Sequence, residues 1–267
     1  MQPFCSGALT GVDNKDSVTA QSEGKFHKDY TKFLDAGSLK GKRIGVEKTH
    51  LDGNEKLVGL LKQAIALMVK QGAEIVEIEV LKQIRELGEA EFEVLQYEFK
   101  DGVNKYLATA NGKMKSLKDV IDFNLKNEAT AMPYFKQETL ISSEAKGNLE
   151  TKEYTDALAK SLTSRTIITK VMEQNKLDAI TGLTNGLACC IDLLNGDYDT
   201  GFSISSPAAM AGFPHITVPA GFVNELPVGI SFFGKAYSEP ALLGIAFAYE
   251  QVSKNRKKPT YKVDLLR

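Results

Sequence analysis

The residues of this chain best suited to chemistry crowd into one irregular stretch, 182–206. Thr184-Asn-Gly186 opens it, Asp192 and Asn195-Gly-Asp197 follow, and Ser203, Ser205 and Ser206 close it. Short hydroxyl, amide and carboxylate side chains can orient a polar ligand through hydrogen bonds, and the same residues form tight turns. A serine becomes a nucleophile only when a neighbouring base takes its proton. Ser203-Ile-Ser-Ser206 has no lysine after it until Lys235, so helix capping and turn bonding are the roles expected of those hydroxyls. Ser142-Ser143 before Glu144 reads as a cap in the same way, and His215, at the start of an apolar run, reads as a half-buried ring.

Metal and redox chemistry find no support. His27, His50 and His215 stand far apart, without the i, i+4 spacing or ligand cluster that zinc requires. Cys5 and the adjacent Cys189-Cys190 form no C-x-x-C motif and are expected as free thiols. No cofactor and no catalytic residue is assigned from the residues alone.

Composition narrows the partners. With 33 basic and 34 acidic residues in 267, the net charge of −1 supplies no field toward nucleic acid or an anionic membrane. No apolar run approaches the roughly 20 residues of a membrane span, and the N-terminus lacks the charge and apolar pattern of a secretion signal, so a soluble, cytoplasmic chain is expected. This length suffices for one large or two small domains with a substantial core.

The elements that must position these residues follow from periodicity. Residues 1–40 are polar and turn-rich, which predicts an extended lead-in, with a single α/β domain over 41–267. Arg43-Ile-Gly-Val46, a helix opened by Asn54 or Glu55 and ended at Gly72, and Glu74–Val80 make a β-α-β unit with parallel strands. Leu87, Phe92, Leu95, Phe99, Val103 and Leu107 predict one amphipathic helix over 82–108. Further helices are expected over 117–124 and 151–175, then a strand at Leu177–Thr181. After the 182–206 loop come a short helix from Pro207, a hairpin of His215–Pro219 with Val228–Phe233, and a closing helix, Glu239–Lys254. The fold class is α/β, a mixed β-sheet flanked by helices.

Several of these segments, in order, resemble the C-terminal portion of the amidase signature family. They are Leu177-Asp-Ala-Ile180, Thr184-Asn-Gly186, Asp192-Leu-Leu-Asn-Gly-Asp197, Ser205-Ser-Pro-Ala-Ala-Met-Ala-Gly-Phe-Pro214, Thr217-Val-Pro-Ala-Gly-Phe222, Leu226-Pro-Val-Gly-Ile230 and Glu239-Pro-Ala-Leu-Leu243, with Leu39–Val46 and Met132-Pro-Tyr-Phe135 upstream. The Thr-Asn-Gly and Asn-Gly-Asp pieces look most like the peptide-amidase branch. The resemblance implies the C-terminal part of the amidase signature fold and hydrolysis of a linear carboxamide, such as a peptide C-terminal amide. In that family a serine, a second serine in a cis peptide and a lysine do the chemistry, and a Gly/Ser-rich loop holds the oxyanion. No comparable Gly-Gly-Ser-Ser-Gly stretch occurs in these 267 residues.

The resemblance therefore implies a chain inactive by itself, with three readings open: a fragment of an amidase, half of a split amidase completed by another chain, or a binding module derived from one. It also implies substrate-binding roles for Thr184, Asn185, Gly186, Asp192, Asn195 and Asp197, because the matching loop borders the amide pocket. The expected partner is a small-molecule or peptide amide. A sheet divided between halves would leave an open edge, so self-association into a homo-oligomer, or disorder in the early residues and the 182–206 loop, is expected as well.

Overall fold

The computed structural model describes residues 2–259. In chain order the elements are α1 (Gln2–Leu9), β1 (Arg43–Glu47), α2 (Glu55–Lys70), β2 (Glu74–Ile78), α3 (Leu81–Arg85), α4 (Gly88–Thr109), α5 (Leu117–Lys126), α6 (Glu128–Ala131), α7 (Glu138–Glu144), α8 (Lys152–Ser161), α9 (Thr163–Gln174), β3 (Ala179–Leu183), α10 (Ser206–Ala211), β4 (His215–Val223), β5 (Leu226–Phe233) and α11 (Glu239–Ser253). They fall into two compact units. The first comprises Met1–Glu79, Ile168–Ala188 and Thr200–Arg267, and the second Val80–Ile167 and Cys189–Asp199. These units follow contacts in the folded chain, whereas the division expected at residue 40 follows composition.

The first unit is built on a five-stranded mixed sheet of order β2-β1-β3-β5-β4. β1 runs parallel to both β2 and β3, as the β-α-β pattern requires, while β5 is antiparallel to β3 and to β4. The crossover helix α2 starts where the Asn54 side chain accepts from the amides of Lys56 and Leu57, and it ends at Lys70, with Gln71 as its cap and Gly72 next at φ +88°. Its apolar stripe, Leu57, Leu61, Ala64 and Met68, is buried in one core with β1, β3, β5 and the inner face of α11, which contributes Leu242, Ile245, Ala246 and Tyr249. That spacing of three to four residues is what a sheet-facing helix needs.

The hairpin closes through Asn224 and Glu225, both left-handed (φ 47° and 67°), the two-residue turn whose twist suits adjoining antiparallel strands. β4 is longer than expected because a register shift between Pro219 and Gly221 absorbs the proline, which cannot donate to a ladder, and lets the strand continue to Val223.

Three expectations need correction. The first forty residues are not extended throughout. Pro3 lies in the first turn of α1, where a missing N–H costs nothing, and 3₁₀ turns form at Ser17–Ser22 and Thr31–Phe33, while Tyr30 and Leu39 are buried. The expected 82–108 helix is interrupted at Glu86 and Leu87, which cap the short α3 and the long α4. The expected 151–175 helix breaks at Leu162, where Thr163 turns its hydroxyl back onto the Lys160 carbonyl at 2.6 Å and competes with the helical ladder.

In the second unit the buried face of α4 also differs from the expected one. Ala90, Val94 and Tyr97 are buried, and Val94 and Tyr97 pack with Tyr154 of α8. Phe92, Leu95 and Phe99 remain 51%, 54% and 42% exposed. Both sets satisfy a helical period, so period alone could not choose between them. The Tyr154 hydroxyl donates to Glu98 at 2.8 Å, and burial together with that carboxylate pushes its pKa up to about 12.

Gly221 combines two demands in the hairpin, a positive φ and a close neighbour. It holds φ +153°, and a Cβ there would meet Leu60 Cδ2 at 2.7 Å. Gly221→Ala should destabilise the protein by about 1–3 kcal/mol, the usual cost of overpacking, with a lower urea midpoint and an unchanged m-value. A midpoint equal to the parent's would show that Leu60 yields freely.

Candidate functional site

Thr184 follows directly on β3, so its side chain stands at the carboxyl end of a strand, the place where α/β sheets commonly bind ligands. Its hydroxyl lies 2.6 Å from that of Thr217 on β4 and 2.8 Å from that of Ser231 on β5. The hairpin register pairs Thr217 with Ser231, so the two strands present their hydroxyls side by side. Ser231 is fully buried, and its carbonyl accepts from the Thr181 hydroxyl at 2.7 Å. Three hydroxyls thus tie β3, β4 and β5 together at one point.

Thr184, Asn185 and Gly186 line one cavity of about 440 Å³, together with Thr217, Pro219, Phe222 and Pro227 of the hairpin and Arg256 and Lys257 after α11. Its walls are mainly apolar, with hydroxyls, an amide and two cations placed among them. Such a cavity can hold a small polar group in an apolar setting.

Gly186 is needed for loop closure. Its N–H donates to the Gly201 carbonyl at 2.7 Å, and a Cβ on it would lie 2.2 Å from the Thr200 carbonyl oxygen. The Ile204 amide reaches back to the Thr184 carbonyl at 3.4 Å, so the two limbs of the long loop are zipped together. Only a residue without a side chain permits that approach.

Asp192, Asn195 and Asp197 belong to the second unit. Asp192 accepts from the backbone amides of Leu194 and Asn195 and from the Asn195 side chain, each at 2.8–2.9 Å. Those bonds hold its carboxyl below the ordinary aspartate range. Asp192 and Asn195 are therefore engaged in an Asx-type turn, and Asp197 is exposed. The structure brings Thr184, Asn185 and Gly186 together around one cavity and brings Asp192 and Asn195 together in a turn.

The serines raised by the sequence keep local partners. Ser203 and Ser205 meet at 3.4 Å, Ser142 accepts from Gln96 and donates to the Thr139 carbonyl, and Ser143 bonds to that same carbonyl. No lysine, histidine or carboxylate is the partner in these contacts. His215 is half-buried, and desolvation lowers its pKa, so its ring is neutral near pH 7. Among the described residues, no group of three or more His, Cys, Asp or Glu is placed to hold a metal ion, and no helix is long and apolar enough to cross a membrane.

Sequence reasoning missed Thr217, Ser231, Arg256 and Lys257. The first two carried one usable signal, a hydroxyl in each strand of a predicted hairpin, but only the register places them opposite each other. Nothing in the basic run after α11 tied it to the hairpin.

A mixed sheet flanked by helices, with a cavity at the end of a central strand, defines an α/β protein. The chain belongs to the amidase family, whose profile, described as "Amidase", matches residues 4–243. An Arabidopsis thaliana protein described as a probable amidase is 34% identical over 258 residues, covering 95% of this chain and 46% of its own length. Among solved structures, native peptide amidase from Stenotrophomonas maltophilia superposes with a TM-score of 0.89 at 33% identity, over 98% of this chain and 53% of that one. A peptide amidase complex with the competitive inhibitor chymostatin gives a TM-score of 0.92 at 36% identity, over 97% and 53%. The fold is that of the amidase signature enzymes, with peptide-amidase-like neighbours, and the chain spans about half the length of the relatives it matches.

The hydroxyl cluster supports a direct test. Thr184→Val keeps the shape but leaves the buried Ser231 hydroxyl without its side-chain partner, which should cost about 1–3 kcal/mol. Calorimetric unfolding would register the loss as a lower Tm, and Thr184→Ser, which restores a hydroxyl, should recover most of it. Equal Tm values for valine and wild type would mean that the hydroxyls do not bind the strands together.

Proposed function

We propose that this chain forms the substrate-side scaffold of an amide hydrolase acting on linear carboxamides, with a peptide C-terminal amide as the favoured substrate. The observation that carries this reading is the cavity where Thr184 and Asn185 meet Thr217 at the end of β3, within a fold that superposes on peptide amidase. A primary amide offers both a donor and an acceptor, and neighbouring hydroxyl and carboxamide side chains match that pair. In the same reading Gly186 shapes the loop, and Asp192, Asn195 and Asp197 hold the turn that continues it.

The reading includes a division of labour. This chain binds and orients, and the nucleophile and its base come from polypeptide beyond these 267 residues. The serine contacts described above support this, because a hydroxyl bonded only to carbonyls, amides or other hydroxyls lacks the base that activation requires. Coverage of about half of each relative's length is consistent with it. A second polypeptide supplying the remainder is the second reading, and the same coverage of about half of each relative's length is what supports it.

The purified chain should show no turnover of a peptide amide and no covalent labelling by a fluorophosphonate probe. Labelling of any serine, with turnover that the same probe abolishes, would place the nucleophile inside this chain and overturn the division of labour.

A further inference from the structure

Beyond the hydroxyl cluster, the cavity at Thr184 continues past the hairpin. A second cavity of about 650 Å³ adjoins it, lined by Asn224, Glu225 and Leu226 of the turn region and by Lys258 and Pro259. Phe222, Pro227 and Lys257 border both. The result is a groove along β4, one of the two edge strands of the sheet among the described residues, from the end of β3 toward the hairpin turn.

One wall of this groove is basic. Lys254, Arg256, Lys257 and Lys258 follow one another with only Asn255 between them, and none makes an ion pair among the described residues. The segment is nonetheless held in place. Lys254 turns the chain out of α11 in a left-handed conformation, the Asn255 side chain donates to the Ala220 carbonyl at 2.6 Å, and the Lys257 ammonium sits 4.7 Å from the centre of the Phe222 ring. A held segment that brings the exposed Arg256 and Lys257 beside a groove with Pro219, Phe222 and Pro227 in its walls differs from a free charge run.

We propose that this groove is a subsite for an extended peptide bearing an acidic side chain, whose carboxylate pairs with Arg256 and Lys257. Calling the ligand a peptide rests on the amide-hydrolase reading, and the acidic preference is what the groove adds. Proline and phenylalanine walls suit a peptide's apolar side chains, whereas the balanced net charge offers nothing to a nucleic acid backbone. Arg256 lines only the cavity at Thr184, and Lys257 borders both, so the anionic group belongs at the Arg256 end.

The test is calorimetric titration of the intact chain with acetyl-Glu-Phe-Glu-amide and with its uncharged twin, acetyl-Gln-Phe-Gln-amide. At low ionic strength the glutamate peptide should bind about three- to tenfold more tightly, the range that two partly exposed ion pairs allow. High salt should erase that advantage, and so should the double change Arg256→Gln with Lys257→Gln. Lys62→Gln, at an exposed position of α2 that lines neither cavity, should preserve it. Equal binding of the two peptides, or a preference that survives in the double variant, overturns the acidic subsite while leaving the amide-hydrolase reading intact. Absence of binding by both peptides also overturns the subsite, and turnover by the completed enzyme then decides the other reading separately.

Discussion

Strand β3 is the constraint on which the first unit depends. All five of its residues are buried, and it is hydrogen-bonded on both sides, parallel to β1 and antiparallel to β5. It is therefore the seam where a crossover half and a hairpin half become one sheet. A backbone buried this deeply must satisfy every amide and carbonyl within the sheet, which leaves little freedom in register. Thr184 inherits that precision because it is the next residue. Its hydroxyl reaches Thr217 and Ser231 only because β5 lies against β3 in one register and β4 against β5 in another.

The same seam explains why the loop can be long and still defined. Once Thr184 is fixed, Gly186 pairs with Gly201 and Ile204 returns to Thr184, so the limbs of the loop are closed at its base. The intervening Cys189–Asp199 segment contributes to the second unit, where Asp192 organises its own turn. Glycine at 186 is thus dictated by a backbone approach of the kind that a ligand-based reading of Thr-Asn-Gly would overlook.

Much of the architecture was legible because the relevant signals are local. The Asn54 cap, the Gly72 stop and the stripe of Leu57, Leu61, Ala64 and Met68 specify α2, and β-branched runs on either side specify a parallel pair. What was not legible depended on choices between equivalent patterns. On α4, Ala90, Val94 and Tyr97 compete with Phe92, Leu95 and Phe99 at the same period, and packing against Tyr154 selected the first set. Hydrophobicity alone would have selected the second, since phenylalanine and leucine have more to gain from burial than alanine. Likewise the break after α8 coincides with one residue, Thr163, whose hydroxyl bonds the Lys160 carbonyl, an effect that a long periodic window averages away.

The candidate site was legible only where it coincides with a strand end. Thr184 and Asn185 could be nominated because polar residues follow an apolar strand. Their partners Thr217 and Ser231 lie 33 and 47 residues away in sequence, and only strand register brings them within 2.8 Å. The basic wall was more distant still, since a single hydrogen bond from Asn255 to Ala220 and one cation over the Phe222 ring attach it to the hairpin. A run such as Lys-Asn-Arg-Lys-Lys has no internal feature separating a solvated tail from a groove wall. What separates them is the aromatic ring and the open carbonyl that the β4 bulge at Pro219 and Gly221 leaves facing the segment, so the irregularity that shapes the edge strand also sets the charge beside it.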